Sequence, residues 1–395
     1  MSPGSASSVS PAALRPATPQ AASAGWRDRW AAWRDRRVSS HRFQRWAARF
    51  WLTRPIARRH AAALFDLVAG FVYTQVLAAC VRLDLFETLA AEGPLPAEAL
   101  AQRCALPERA MRRLLDAAVA IRLLERRSGG RYGLGPLGGP IVGNAALKAM
   151  VEHHAALYAD LRDPVALLRE EGAGSAMSAY WPYAAYPTPG ALPPERVAEY
   201  SALMTASQPM VIDEVLDAWP FGRHRRVLDV GGGEGRFVAA LAQRWPRLEL
   251  MLFDLPQVTA LARTRLAGLG LGQRVQAHGG SFFDDPLPQG ADLVTLVRVL
   301  FDHDDAHALA ILRAVHAALP AGGTVLVAEP MACTPGAHAM GDAYFGFYLL
   351  AMGRGQARSA EDMQGLLAQA GFEAAHPVAT PLPLQAGIVV ARKPR

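Results

Sequence analysis

The chain has 395 residues, 51% of them hydrophobic and 19% charged, with a mean hydropathy of +0.09. That is room for two ordinary domains; it excludes a disordered chain, and the 35 glycines and 29 prolines are too few for a collagen-like or low-complexity one. The net charge of +6 is concentrated: the first sixty residues carry twelve arginines against Asp28 and Asp35, a sum of +10, so the rest of the chain sums to −4 and the basic character belongs to an N-terminal arm.

The arm opens with a Pro/Ala/Ser tract, residues 1–25, whose composition buries little and predicts disorder. It lacks the early positive cluster and apolar run of a secretory signal. Cys80, Cys104 and Cys333 lie far apart and form neither a CxxC pair nor an even framework, so a reducing cytoplasmic setting is expected, without disulfides or a zinc ribbon. No His/Cys cluster has metal-ligand spacing, and no metal is expected. Residues 26–60 form a basic segment in which Trp26, Trp30 and Trp33 fall on one helical face among Arg27, Arg29, Arg34, Arg36 and Arg37. Such a helix suits a membrane interface, anionic headgroups meeting arginine and indoles sitting at the boundary; it equally suits an arm packed on its own body or on a partner subunit. The apolar run Ala61 to Cys80 contains Asp66, Thr74 and Gln75, which predicts a buried interface helix rather than a transmembrane one.

Residues 61–200 are expected to form a mostly helical, winged-helix-like domain. Leu85, Phe86 and Leu89 share a face, Pro94 to Ala101 suits a second helix, and Pro107 to Ile121 a third with Met111, Leu114, Leu115 and Val119 as its stripe. Ser128-Gly129-Gly130 then signals a hairpin turn into Tyr132–Leu134. The module reads DNA in some proteins, with Arg109, Arg112 and Arg113 available for phosphates, and dimerises in others; fold alone does not choose.

Residues 201–395 are expected to form an α/β domain with a parallel sheet. Arg225 to Val230 reads as a buried strand, Gly231-Gly232-Gly233-Glu234-Gly235 as a turn, and Phe237 to Trp245 as a helix. Counting from Gly231, the third glycine of a dinucleotide fingerprint would fall on Arg236, and no GK[ST] ending follows, so neither a dinucleotide nor a P-loop site is indicated. Leu248 to Phe253 is a second strand ending at Asp254, where a carboxylate can take both ribose hydroxyls. The third strand ends in Ala277 to Phe283, the fourth spans Leu293 to Leu300, and Thr324 to Ala328 ends at Glu329.

The pattern Asp229-x-Gly231-x-Gly233-x-Gly235 resembles motif I of class I S-adenosylmethionine-dependent methyltransferases. The whole layout, over roughly residues 60 to 393, resembles the small-molecule O-methyltransferases typified by plant caffeate O-methyltransferases, and most closely their bacterial carotenoid branch, on the phrases LDVGGGEGRF, LMLFDLPQV, RVLFDHDDAHAL and AEPMA. The resemblance implies a Rossmann-like domain holding S-adenosylmethionine behind a dimerising winged-helix-like domain, and hence a homodimer with no nucleic-acid partner. It implies that Asp229, Gly231 and Gly233 meet the methionine end of the cofactor, that Asp254 takes the ribose, that Ser281 and Phe282 flank the adenine, and that Met204 and Gln208 approach the sulfur and carboxylate. The family lysine on the fourth strand falls on Val297; the adjacent Arg298 is a substitute that regular strand geometry would point to the opposite face.

The family's catalytic histidine falls on Phe301, followed by Asp302 and His303, so His303 is expected to act as the base, with Asp302 or Glu329 holding its tautomer; Asp304 is read as the cap of the next helix. Tyr344, Phe345, Tyr348 and Met352 lie on a dense apolar helix that is expected to roof a hydrophobic acceptor site. The implied reaction moves a methyl group to the tertiary hydroxyl of an acyclic carotenoid; a phenolic acceptor and a ligand-sensing winged-helix regulator are the alternatives. A polyene is dissolved in membrane, which gives the basic arm, residues 26–55, a reason to touch a membrane from the cytoplasmic side.

Overall fold

The computed structural model describes residues 25–180, 209–380 and 386–395, and the chain divides into two compact units, residues 1–75 and 76–395. In the first, α1 (Trp26–Val38), α2 (His41–Arg49) and the start of α3 (Arg54–Arg82) follow one another. No residue of α1 or α2 is buried. Guanidinium groups of Arg27, Arg34 and Arg37 lie over the rings of Trp26, Trp30 and Trp33, and Trp46 stacks on Phe50 at 5.0 Å. Leu64, Phe65, Leu67, Val68 and Phe71 of α3 are exposed in the single chain. The helix is long and apolar enough to cross a membrane, yet Tyr73 donates to Asp66 and Thr74 to the Gly70 carbonyl on its surface.

The second unit opens with α4 (Leu85–Glu92), α5 (Ala97–Arg103) and α6 (Glu108–Ala120), whose Leu85, Phe86, Leu100, Met111 and Leu115 are buried together with Tyr132. A small antiparallel sheet, β1 (Leu95–Pro96), β3 (Arg131–Leu134) and β2 (Leu124–Arg127) in that order, completes the winged-helix arrangement. The predicted helix from Pro94 starts only at Ala97, because Leu95 and Pro96 pair with Tyr132 and Arg131 and proline supplies no amide donor for a helical turn. Gly129 and Gly130 make the wing turn with φ of 71° and 70°. Helix α7 (Ala145–Asp160) follows, capped by the Asn144 side chain on the Leu147 amide.

The large sheet has the order β6-β5-β4-β7-β8-β10-β9 among the described residues. Strands β4 (Arg226–Val230), β5 (Glu249–Asp254), β6 (Val275–Gly279), β7 (Leu293–Val297) and β8 (Thr324–Glu329) are parallel. Strands β10 (Gly387–Arg392) and β9 (Glu373–Val378), absent from the sequence reading, join antiparallel. Near-continuous apolar runs such as Leu293–Val297, buried at every position, fit a sheet covered on both faces. The helices Asp305–Ala318 and Ala360–Gln369 pack on one face and Arg236–Arg244 and Pro256–Gly268 on the other. Strand order runs outward in opposite directions from β4 and β7, so the crevice at their carboxyl ends is where such a sheet binds ligands.

Candidate active site

The turn after β4 exists because glycine occupies it. Gly231, Gly233 and Gly235 have φ of 70°, 57° and 78°. A Cβ on Gly231 would stand 2.7 Å from Val299 Cγ2, and one on Gly232 would stand 2.7 Å from Asp229 Oδ2 and 2.9 Å from Leu252 Cδ1. Asp254, at the end of β5, is pinned by two amides: Gly233 N–H donates to Oδ2 at 2.8 Å and Leu255 N–H to Oδ1 at 2.7 Å. Burial pushes its carboxyl up to about 6 against those donors. Asp229 is 1% exposed; Thr295 Oγ1 donates to its Oδ1 at 2.7 Å, while Oδ2 has no partner among the described residues. Burial raises Asp229 to about 7. A buried, unmatched acceptor, a fixed strand-end carboxylate and a cradle with no room for Cβ together fit a nucleoside carrying a diol and an amino group.

Beyond β6, Ser281 N–H donates to Asp285 Oδ2 at 2.9 Å and Phe283 N–H to Ser281 Oγ at 3.2 Å, fixing a tight turn that presents Phe282 and Phe283. The His303 ring stands edge-on to both, at 5.7 and 5.6 Å. His303 is therefore part of the aromatic corner around the expected adenine position, and burial lowers it to about 4, keeping it neutral at neutral pH.

Arg298 does not obey strand alternation. β7 ends at Val297, and Arg298 takes φ of 58° while its amide donates to the Ala328 carbonyl at 2.8 Å. The expectation that it faces away from the site assumed regular strand and does not apply. Its guanidinium lies 5.8 Å over the Phe301 ring, and its charge acts on Asp302 and Tyr344.

The loop from Leu300 to Asp305 is held by a residue the sequence reading missed. Arg358, 1% exposed, donates to the Leu300 carbonyl at 2.8 Å, the His303 carbonyl at 2.7 Å and Asp305 Oδ1 at 2.8 Å. Glu329, fully buried, accepts from the Phe301 amide through Oε2, while Oε1 has no partner among the described residues. Burial raises Glu329 to about 7, with Arg358 opposing, and holds Asp302 well above the usual carboxylate range. Among the described residues neither Glu329 Oε1 nor Asp302 Oδ1 hydrogen-bonds His303, so a tautomer-setting contact through those atoms is not formed. Asp304 caps the following helix through the His307 amide, as its position suggested.

The acceptor side is an aromatic cluster. A π-helical turn, Ala339–Phe345, runs into the helix Gly346–Ala351, and such turns carry an extra residue that re-aims side chains at functional sites. Phe345 meets Phe301 at 6.3 Å and Tyr344 at 4.9 Å. Tyr348 and Met352 are buried in a cluster with Leu157, Leu167, Met177 and Leu349. Two histidines of α7, also missed in the sequence, close it: His154 Nε2 lies 2.8 Å from Tyr344 Oη and His153 Nε2 lies 3.1 Å from Tyr348 Oη. Their only sequence signal was an adjacent His pair on a largely apolar helix that also carries Lys148 and Glu152. Met204 and Gln208 lie outside the described residues.

Parallel sheet, glycine turn and strand-end carboxylates at the switch point define a class I methyltransferase domain. An O-methyltransferase domain model matches residues 158–373 and an O-methyltransferase dimerisation domain model residues 65–140. The chain belongs to the O-methyltransferase family and is an S-adenosylmethionine-dependent O-methyltransferase. It is 46% identical over 337 residues, 85% of this chain and 88% of the relative, to demethylspheroidene O-methyltransferase of Cereibacter sphaeroides. Identity to the protein of that name from Rhodobacter capsulatus is 42%, over 80% of this chain and 78% of the relative. Human N-acetylserotonin methyltransferase in complex with S-adenosylmethionine superposes with a TM-score of 0.70 at 25% identity, covering 85% of this chain and 98% of that one. The dimerisation domain includes the exposed apolar part of α3, which supports a homodimer, in line with an interface helix.

Proposed function

We propose that the protein transfers the methyl group of S-adenosylmethionine to the tertiary hydroxyl of an acyclic carotenoid. The observation that carries this is the 46% identity to a demethylspheroidene O-methyltransferase along 85% of the chain. The aromatic, carbon-rich acceptor side, where even the position aligned with the family histidine is Phe301, agrees with a polyene. A phenol acceptor or a DNA-binding regulator is not favoured by these relatives.

In this reading Gly231, Gly233 and Asp229 hold the methionine end, Asp254 the ribose, and Ser281 and Phe282 the adenine, with Met204 and Gln208 contributing as the family resemblance implies. Tyr344, Phe345, Tyr348 and Met352 line or back the acceptor. When bound, the cofactor supplies a methyl group already activated by sulfonium charge, so alignment supplies most of the acceleration. An aliphatic alcohol is too weak an acid for a neutral imidazole to ionise beforehand; the chain must orient its oxygen, exclude water and take the proton as transfer proceeds. With labelled S-adenosylmethionine, kcat/KM for an acyclic carotenoid tertiary alcohol in detergent micelles is expected to exceed that for a catechol; the reverse order rejects the substrate assignment.

Helices α1 and α2 serve, in the same reading, as a membrane-docking arm. Trp26 at 69% and Trp46 at 51% exposure, interleaved with arginines of which three stack on indoles, suit an anionic headgroup layer.

A further inference from the structure

We propose that the Tyr344 hydroxyl, seated on His154, orients the acceptor hydroxyl and receives its proton, with His154 as the positioning and final accepting group. This rests on the reading above that the acceptor is an aliphatic alcohol.

Phe301 is 2% exposed and brings only carbon to the position that aligns with the family base. Its ring meets Phe345, and Phe345 meets Tyr344, so Tyr344 is a polar group one ring removed from Phe301. The Tyr344 Oη lies 2.8 Å from His154 Nε2, and the parallel pair Tyr348–His153 lies alongside at 3.1 Å, the two tyrosine rings stacked at 5.8 Å. Consecutive histidines on α7 thus fix two tyrosines four residues apart, one in the π-helical turn and one in the helix after it, so the hydroxyls are built into the fold and not left to rotate.

Burial lowers both imidazoles, His153 to about 4, so His154 is neutral at neutral pH and its unprotonated nitrogen can accept the Tyr344 O–H hydrogen bond. Burial raises Tyr344 to about 12 against the attraction of Arg298, so it is a phenol whose lone pairs accept a hydrogen bond. An alcohol donating its O–H to Tyr344 keeps a lone pair free for the methyl carbon. As the carbon–oxygen bond forms, the carbon–sulfur bond breaks and sulfur keeps the electron pair. The acceptor's proton passes to Tyr344 oxygen while the Tyr344 proton passes to His154 Nε2. The positive charge leaves sulfur and ends on imidazolium, so charge is conserved. The ionisable groups around this pair include His153, next to His154 and itself lowered by it, Tyr348, stacked on Tyr344, and Arg298, whose charge acts on Tyr344.

The test uses the full chain with the carotenoid alcohol in micelles. Tyr344→Phe keeps the ring and is expected to lower kcat about a hundredfold, with KM, thermal midpoint and calorimetric affinity for S-adenosylhomocysteine unchanged. Wild-type kcat is expected to fall as pH drops through the depressed His154 value, below 6.5. His154→Asn, which can still accept the Tyr344 hydrogen bond but does not titrate in that range, is expected to be slow and to lose that acid limb. If Tyr344→Phe turns over like wild type, or if its loss follows lost S-adenosylhomocysteine binding, the assignment is overturned while the acceptor reading stands. If wild type fails to methylate the alcohol, both fall together.

Discussion

In the proposed site, single residues would set the terms of cofactor binding. Burial raises Asp254 to about 6 and Asp229 to about 7, the Asp254 charge adding to the rise at Asp229. A raised carboxyl pKa means that the free site resists ionisation; a diol that donates hydrogen bonds prefers the ionised carboxylate. Affinity for S-adenosylhomocysteine is therefore expected to be full above both values and to weaken as pH falls through them, by about tenfold per pH unit for each protonating group. Calorimetry from about pH 5 to about pH 8 measures this. Asp254→Asn should bind weakly and lose the step near 6; a flat wild-type profile contradicts the role given to Asp254. These residues were legible because their constraint is local: positive φ selects glycine at Gly231 and Gly233, and a strand-end acid announces itself beside them. The direction of Arg298 could not be read from the two-residue period, since its left-handed φ takes it out of regular strand.

At the scale of elements, the segment after β7 is the decisive one. The loop Leu300 to Asp305 carries Phe301, Asp302 and His303, and Arg358 supplies hydrogen bonds to both ends of it. Replacing Arg358 by Met removes its hydrogen bonds to the Leu300 and His303 carbonyls and its charge from beside the buried Glu329, and is expected to cost about 3 kcal/mol. Urea unfolding measures this, and a loss under about 1 kcal/mol would show that the loop holds its own shape. Asp305→Asn, whose carboxylate is 64% exposed, should cost under about 1 kcal/mol. Neither Arg358 nor the His153–His154 pair could be read from the sequence as site residues. Their partners lie 58 and 190 residues away in the chain, and only the fold brings them together. The strands β4, β5, β7 and β8 were legible because apolar runs bounded by glycine, proline or acid encode buried parallel strands directly. β9, with its Glu373 and Pro377 and its mostly exposed positions, carries no such run.

At the scale of the whole molecule, an arm with a +10 charge precedes a body with −4. Deleting residues 1–55 is expected to leave S-adenosylhomocysteine affinity unchanged and to reduce sedimentation with anionic phospholipid vesicles severalfold, with the difference fading at high salt. Equal sedimentation of both forms contradicts the docking role. The winged-helix domain was legible as a fold, but its purpose was not: helix patterns and a glycine wing are common to DNA readers and dimerisers, and the choice came from the enzyme domain that follows. Central to the proposed function is a methyl group moved from a sulfonium nucleoside, proposed to sit at Gly231 and Asp254, to a polyene alcohol proposed to lie beside Tyr344. Mass analysis of the products formed from methyl-labelled S-adenosylmethionine and an extracted pool of acyclic carotenoid alcohols tests this most directly. The expected result is a labelled tertiary methyl ether of the polyene, abolished by Gly232→Ala, whose Cβ would collide with Asp229; an unlabelled pool beside an enzyme that binds its cofactor would contradict it.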